Sequence, residues 1–151
     1  MKISIAVLSF FVLCACAQDG PNIKQIENMQ FFIDNKKNNE IIEIEPGLQY
    51  YVVDNGDPSG STPSLNDTIS AHFHGTLTNG EVFWSSVDSD PLNIELSKLI
   101  VGCQKTISLM KEGDKWVVYI DPTMAYGEEG RPGIPSNSIL IFEIELLKIL
   151  S

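Results

Sequence analysis

The sequence has few cysteines, few basic residues and no hydrophobic run long enough to span a membrane. Three cysteines, Cys14, Cys16 and Cys103, in 151 residues are too few and too unevenly spaced for a disulfide scaffold or a zinc site of paired cysteines. Ten Lys and Arg residues face twenty Asp and Glu residues, so the formal net charge is -10. Sequence-independent nucleic-acid binding depends mainly on basic groups that neutralise phosphates. The composition therefore predicts no nucleic-acid partner.

Motifs for common cofactor and hydrolase chemistry are also missing. The sequence contains neither a glycine-rich phosphate loop followed by a helix nor a Ser-His-Asp arrangement. His72 and His74 are two apart on a predicted strand and share a face, but no third metal ligand accompanies them at a suggestive spacing. Solvent-facing histidines are the simpler interpretation, and we expect no metal and no cofactor. Cys103 lies on the apolar stripe of a predicted helix, where a cysteine is more often a small buried hydrophobe than a reactive thiol.

The first 15 residues have the pattern of a secretory signal peptide. A short positive region, Met1 and Lys2, precedes an uncharged apolar run at 3–13 and then small residues. A membrane-spanning helix needs about 20 apolar residues, and this run ends earlier. The segment 13–16, Leu-Cys-Ala-Cys, resembles a bacterial lipobox, in which the last cysteine becomes the lipidated first residue of the mature protein. We therefore expect an extracytoplasmic lipoprotein of the bacterial envelope, anchored in the membrane through Cys16; ordinary cleavage after Ala17 is the alternative.

Residues 16–45 are interpreted as a lipid-anchored linker with a possible short helix. Ile23, Ile26, Met29 (or Gln30) and Ile33 fall at near-helical spacing, and the polar segment 35–39 breaks that pattern. Two interpretations stay open: a helix that packs on a partner, or a disordered stalk.

Residues 46–151 have the pattern of one α+β domain. Short strands separated by turns are predicted at 48–53, 68–77, 82–84, 92–96, 115–120 and 139–149, with a hairpin turn at 78–80. Ile100, Cys103, Ile107 and Met110 recur at helical spacing and predict one short helix. Because this stripe needs an apolar cover, we expect an antiparallel sheet wrapped around the helix. A long Pro- and Gly-containing loop, 121–138, is predicted to be functional.

Several segments of this domain resemble the FKBP-type peptidyl-prolyl cis-trans isomerases. They occur in collinear order over nearly all of 47–150, and their order and spacing are more specific than any one of them. They are GLQY (47–50), HFHGTL (72–77), NGEVF (79–83), SS (85–86), IVG (100–102), MAYG (124–127), IP (134–135) and LIFEIELL (140–147). The resemblance implies an FKBP-like fold and an enzyme that rotates X-Pro peptide bonds.

Prolyl isomerisation requires a shaped pocket rather than a reactive group. Rotation about an X-Pro amide crosses a barrier of about 18–20 kcal/mol because it breaks conjugation, but no covalent bond is cut. An apolar, water-poor cavity favours the twisted amide, which is less dipolar than the planar forms. The resemblance thus implies an isomerase that assists the folding of extracytoplasmic proteins, acting on proline-containing segments of envelope proteins.

The resemblance also assigns roles to ten residues. Phe83 and Phe142 would form walls, the backbone N–H of Ile100 would bind a substrate carbonyl, and the Tyr126 hydroxyl would point at the carbonyl near the rotating bond. Six further residues are expected to bind substrate: Phe73, Trp84, Leu92, Leu99, Cys103 and Ile134. Plain core packing is the alternative for each apolar member of the set.

The chain departs from the family pattern within this set. Family members usually have an aspartate at the position of Trp84, and an indole cannot accept a hydrogen bond. Cys103 stands where a tryptophan commonly forms the pocket floor, Phe73 where a tyrosine is usual, and Leu92 where a phenylalanine is usual. The sequence leaves open whether the cavity is deepened at its floor or partly refilled by Trp84. It also leaves an alternative function: a low-activity FKBP-like chaperone or assembly module of an envelope or gliding machinery.

Overall fold

The computed structural model describes Gly20 and residues 22–151. The predicted signal peptide, 1–15, and the predicted lipidation site, Cys16, lie outside the described residues. In the part of the chain that is described, no helix is both long and apolar enough to cross a membrane. The helices and strands are α1 (Ile23–Asn35), β1 (Ile42–Glu45), β2 (Leu48–Asp54), β3 (Thr68–Leu77), β4 (Val82–Ser85), β5 (Leu92–Glu95), α2 (Val101–Ile107), β6 (Lys115–Ile120) and β7 (Leu140–Ile149), with short 3-10 turns at Leu96–Lys98 and Pro122–Met124.

All described strands belong to one antiparallel sheet with the order β1-β2-β6-β7-β3-β4, and β5 pairs with β3. The six strands predicted from alternation and turn residues are present, each within one residue of its predicted bounds. The sheet begins earlier than the predicted domain boundary at 46, because Ile42–Glu45 forms a strand that pairs with β2. This strand reverses into β2 at Gly47, whose φ of +82° is a conformation that glycine adopts without a steric penalty.

Helix α2 lies against the inner face of the sheet, as the apolar stripe predicts. Cys103, Ile107 and Met110 are fully buried there. The helix lies directly on β6, because a Cβ atom added at Gly102 would be 2.4 Å from Ile120 Cγ2. The predicted α+β architecture, an antiparallel sheet wrapped around a short helix, is confirmed.

Helix α1 packs on the outer face of the same sheet. Residues 49 and 119 are paired on neighbouring strands, and α1 contacts both: the Phe31 ring lies 5.9 Å from the Tyr119 ring, and Gln49 Nε2 donates a hydrogen bond of 3.1 Å to the Phe32 carbonyl. Phe32 is buried in this contact. The segment predicted as a linker therefore contributes a helix to the folded unit.

The face of α1 that packs is not the one that its apolar spacing suggests. The residues that gave the near-helical pattern are 53 to 77% exposed, and they are Ile23, Ile26, Met29 and Ile33. The buried face instead includes Asn28, whose amide Nδ2 donates a 3.0 Å hydrogen bond to the Asn137 carbonyl. Helix α1 is thus held by the hydrogen bond of a buried polar side chain, Asn28, and not by the aliphatic side chains that the spacing predicts.

Candidate functional site

The ten predicted site residues line one cavity of about 610 Å³. It is bounded by the inner face of the sheet, the start of α2 and the loop before β7, and the ten residues are Phe73, Phe83, Trp84, Leu92, Leu99, Ile100, Cys103, Tyr126, Ile134 and Phe142. Several of them, such as Phe73 and Phe142, are also members of the hydrophobic core. Core packing and cavity lining are therefore not exclusive, because the same side chains belong to the hydrophobic core and border the cavity. Their individual roles in binding and catalysis stay predictions.

Three phenylalanine rings form one wall of the cavity. The ring of Phe142 packs edge-on against Phe83 at 5.4 Å and against Phe73 at 6.3 Å, both favourable T-shaped geometries. This packing requires a glycine at position 75. A Cβ atom there would lie 2.5 Å from Phe83 Cζ and 2.8 Å from Phe142 Cε1.

A β-bulge in β4 brings two consecutive side chains to the cavity. Gly75 pairs with Trp84 and Thr76 with Val82, so that Phe83 is the extra, unpaired residue. Neighbouring residues of a regular strand point to opposite faces, but here Phe83 and Trp84 both line the cavity. The Trp84 indole is 41% exposed, and its ring lies 5.9 Å from the Phe73 ring. It forms part of the rim and leaves the cavity open.

Cys103 forms the floor of the cavity, and its thiol is buried and protonated. Its side chain is 1% exposed, and burial raises the pKa of the thiol to about 12. The thiol is therefore neutral near pH 7, and the buried-hydrophobe interpretation of Cys103 agrees with its surroundings.

Ile100 supplies a backbone donor at the start of α2. It has an extended backbone, with φ -61° and ψ 151°, and occupies the N-cap position of the helix. Among the residues that the structure describes, none accepts a hydrogen bond from the Ile100 N–H. Gln104 Nε2 meanwhile donates to the neighbouring Leu99 carbonyl at 2.6 Å. The Ile100 N–H is thus available to donate to a ligand carbonyl.

Tyr126 is held by Arg131. The guanidinium lies 4.8 Å from the centre of the Tyr126 ring, and Arg131 Nη1 donates a 2.8 Å hydrogen bond to the phenolic oxygen. Because that oxygen already accepts a bond from a cation, its own hydrogen remains available for donation to another acceptor. This pairing suits a phenol that must donate to a substrate carbonyl.

The loop that carries Tyr126 is braced from outside the cavity. Asn137 donates its N–H to the Gly127 carbonyl at 2.8 Å, and its own carbonyl accepts the hydrogen bond from Asn28 of α1. Asn28 is only 4% exposed. Helix α1, although distant from the cavity, is therefore linked to the residue next to Tyr126 through two hydrogen bonds.

Four lining residues were not predicted: Ile94, Lys98, Arg131 and Pro132. Ile94 shares a strand face with the predicted Leu92, and that two-residue spacing could have identified it. Arg131 is the only arginine of the chain and lies five residues after Tyr126 in the loop expected to be functional. No signal in the sequence distinguishes Lys98 from the other lysines.

The two histidines are bonded to serines on the neighbouring segment. Nδ1 of His72 is 3.0 Å from the Ser86 carbonyl oxygen, and Nδ1 of His74 is 3.0 Å from Ser85 Oγ. They are half-buried rather than fully solvent-facing. In the described part of the chain, no group of three or more His, Cys, Asp or Glu side chains is arranged to hold a metal ion.

Comparison with known proteins agrees with this geometry. Residues 59–147 match the sequence profile of the family described as FKBP-type peptidyl-prolyl cis-trans isomerase. The chain is 36% identical over 126 residues to the FKBP-type peptidyl-prolyl cis-trans isomerase FkpA of Aeromonas hydrophila, covering 83% of this chain and 46% of that protein. It is 38% identical over 121 residues to the peptidyl-prolyl cis-trans isomerase Mip of Coxiella burnetii, covering 79% of this chain and 52% of the relative. The chain thus spans about half the length of these relatives.

Solved structures show the same fold. A peptidyl-prolyl cis-trans isomerase from Pseudomonas syringae superposes with a TM-score of 0.78 at 27% identity, covering 87% of this chain and 97% of that one. FkpA from Escherichia coli superposes with a TM-score of 0.77 at 33% identity, covering 83% of this chain and 59% of that one. From its sequence match and its fold together, the chain belongs to the FKBP-type peptidyl-prolyl cis-trans isomerase family.

Proposed function

We propose that this protein is a peptidyl-prolyl cis-trans isomerase that binds the prolyl ring of its substrate in the cavity. The observation that carries the proposal is the combination of an aromatic wall with two separate hydrogen-bond donors in one cavity, whose lining side chains are mostly apolar. The ring of the substrate proline packs against Phe83 and Phe142. The preceding amide is then removed from water, which favours the less dipolar twisted form.

The two donors act at different carbonyls. The Ile100 N–H holds a carbonyl of the substrate chain and fixes its register, whereas the Tyr126 hydroxyl donates to the carbonyl near the rotating bond. A hydrogen bond formed better in the twisted amide than in either planar form lowers the barrier, and a gain of about 1.4 kcal/mol corresponds to a tenfold rate. Neither donor needs to change its protonation state, and no step needs a nucleophile.

The test is exchange spectroscopy by NMR on an X-Pro peptide in the presence of the protein. We expect acceleration of cis-trans exchange, a fall of about three- to tenfold in kcat/KM for Tyr126→Phe, equivalent to the loss of one ordinary hydrogen bond, and a larger fall for Phe83→Ala. Tyr51→Phe is the matched control, because Tyr51 lies on the outer face of β2 and loses the same hydroxyl away from the cavity. Unchanged exchange rates in both cavity variants would show that the site is misplaced.

We also propose that the protein works in the bacterial envelope, anchored by lipid on Cys16, and assists the folding of proline-containing envelope proteins. The lipobox-like segment and the signal-peptide pattern support this location. Metabolic labelling with a fatty-acid analogue tests it: the label is expected on the parent and on Cys14→Ser, and is expected to disappear in Cys16→Ser. Retention of the label in Cys16→Ser would refute the anchor.

A second candidate is a chaperone or assembly module of low isomerase activity. The presence of Trp84 in place of the family's usual aspartate, and of Cys103 in place of its usual floor tryptophan, favours this alternative. If the protein suppresses aggregation of an unfolded client but does not accelerate exchange, this candidate replaces the enzyme. If Trp84→Asp raises the exchange rate, the missing carboxylate limits the activity of the parent.

A further inference from the structure

The rim of the cavity carries positive charge and no negative charge. Lys98 and Arg131 both line it, and among the described residues no Asp or Glu does so. The chain as a whole has a net charge of -10, so this local composition is opposite to that of the molecule. Trp84 contributes to the difference, because it occupies the rim position where the family's carboxylate usually lies.

Among the described residues, no carboxylate oxygen lies within 4.0 Å of either cation. Within residues 22–151, every lysine except Lys98 and Lys111 has a carboxylate oxygen within 4.0 Å. Lys111 donates to the Pro58 carbonyl, outside the cavity. Lys98 and Arg131 thus differ from the other described cations in having the cavity beside them and no ion-pair partner.

The chemistry of the two side chains suits a carboxylate. Arg131 uses Nη1 to bind the Tyr126 hydroxyl, which leaves further N–H donors of its planar guanidinium free. Lys98 is exposed at the end of the 3-10 turn before Ile100, the residue expected to hold the substrate chain. A peptide bound across this edge would therefore carry its residues next to proline past two unpaired cations.

We propose that Lys98 and Arg131 make the cavity selective for proline segments with an acidic residue, Asp or Glu, next to the proline. The inference rests on the proposed function, since it names the substrate class of the same site. It is opposite to the expectation from net charge, which favours cationic peptides. At physiological salt, charges more than about 8 Å away are largely screened, so the two rim cations act on a bound peptide more strongly than carboxylates beyond that distance.

The experiment uses peptides that differ only in one residue beside the proline: Glu, Gln or Lys, placed before the proline in one series and after it in a second. Binding to the full chain is measured by NMR chemical-shift titration, and cis-trans exchange is measured on the same samples. In at least one series we expect kcat/KM and affinity in the order Glu, Gln, Lys, with a Glu-to-Lys ratio of about three to ten at low ionic strength. The ratio should approach one in about 1 M salt, where the screening length is about 3 Å.

Two variants assign the preference to the rim. Lys98→Gln, which breaks no ion pair or hydrogen bond found among the described residues, should lower the Glu-to-Lys ratio. Lys98→Gln combined with Arg131→Gln should bring the ratio close to one, whatever the change in overall rate from the lost Tyr126 contact. Lys24→Gln is the matched control, since it removes one positive charge on α1, outside the cavity, and should leave the ratio unchanged.

The outcomes separate the two proposals. Equal binding and exchange of Glu and Lys peptides in both series would overturn the acidic preference but not the isomerase activity. A preference that the double variant retains would do the same. A preference that Lys24→Gln lowers as much as Lys98→Gln would also overturn it, because net charge would then be the cause. Binding with the predicted order but without accelerated exchange would refute the isomerase and leave the acidic preference standing, and absence of binding by every peptide would refute both.

Discussion

Substitution of Gly75 by alanine would test whether the aromatic wall requires that position 75 has no side chain. The new Cβ atom would be 2.5 Å from Phe83 Cζ, 2.7 Å from Phe83 Cε2 and 2.8 Å from Phe142 Cε1, all shorter than carbon atoms tolerate. Because Phe142 also contacts Phe73, the wall cannot relax by moving one ring alone. We expect the rings to shift and the cavity to change shape.

The magnitude follows from two opposing effects. Overpacking a core costs about 1–3 kcal/mol, whereas replacing a strand glycine by alanine returns about 0.5–1 kcal/mol of backbone entropy. The net loss of unfolding free energy therefore lies between about 0 and 2.5 kcal/mol, with a central value of about 1 kcal/mol. With a urea m-value of about 1–3 kcal/mol/M, a loss of about 1 kcal/mol should lower the unfolding midpoint by about 0.3–1 M.

Urea unfolding followed by fluorescence measures this loss, and peptide exchange reports the effect on the cavity. Gly20→Ala is the control, because no described residue lies within 4 Å of the added carbon, and it should not change the midpoint. Phe83→Leu should partly rescue Gly75→Ala, since the shorter side chain vacates the position of the clash. The steric account of the wall is refuted if Gly75→Ala is as stable as the parent. It is also refuted if Phe83→Leu lowers the unfolding free energy of Gly75→Ala by as much as it lowers that of the parent.

Three further results are expected. Asn28→Ala should increase the amide hydrogen-exchange rate of Asn137, because the brace between α1 and the loop is lost; an unchanged rate would show that α1 does not support the loop. With the other two cysteines replaced by serine, Cys103 should resist iodoacetamide at pH 8 until the protein is unfolded, since burial raises the pKa of its thiol to about 12; rapid native labelling would contradict this. The pKa of Glu43 is lowered in the folded state, chiefly by a hydrogen bond from Gln49. The ionised Glu43 side chain therefore stabilises the fold above the unfolded pKa of about 4.3, and this stabilisation is lost as the pH falls through the lower folded pKa. The difference in urea midpoint between the parent and Glu43→Gln should therefore be present at pH 7 and shrink below pH 4.

The strands of the domain could be predicted because their signals are local. The alternation in 68–77 and the turn residues that follow specify β3 and its hairpin without reference to the rest of the chain. The packing face of α1 could not be predicted in this way. It depends on Asn28 and Gln49 finding partners far away in sequence, and an exposed apolar stripe on the same helix gave the stronger periodic signal.

The site residues also fall into two groups, those that the sequence located and those that required the structure. The family resemblance located the ten lining residues, because those positions match collinear segments of the chain. It could not locate Lys98 or Arg131, because their proposed role depends on the lack of a carboxylate oxygen within 4.0 Å among the described residues. The shared orientation of Phe83 and Trp84 also required the structure, since a bulge is a feature of strand pairing and not of one strand alone.

The central place of β7 determines when the domain can complete its fold. Of the described strands, β7 is the last in chain order, yet it alone connects the β1-β2-β6 half of the described sheet to the half that contains β3. Before β7 is present, β6 and β3 each lack a neighbouring strand, and the apolar residues of β7 are missing from the core. Pairings between segments far apart in sequence form slowly. The two halves of the described sheet can therefore join only after β7 has been synthesised.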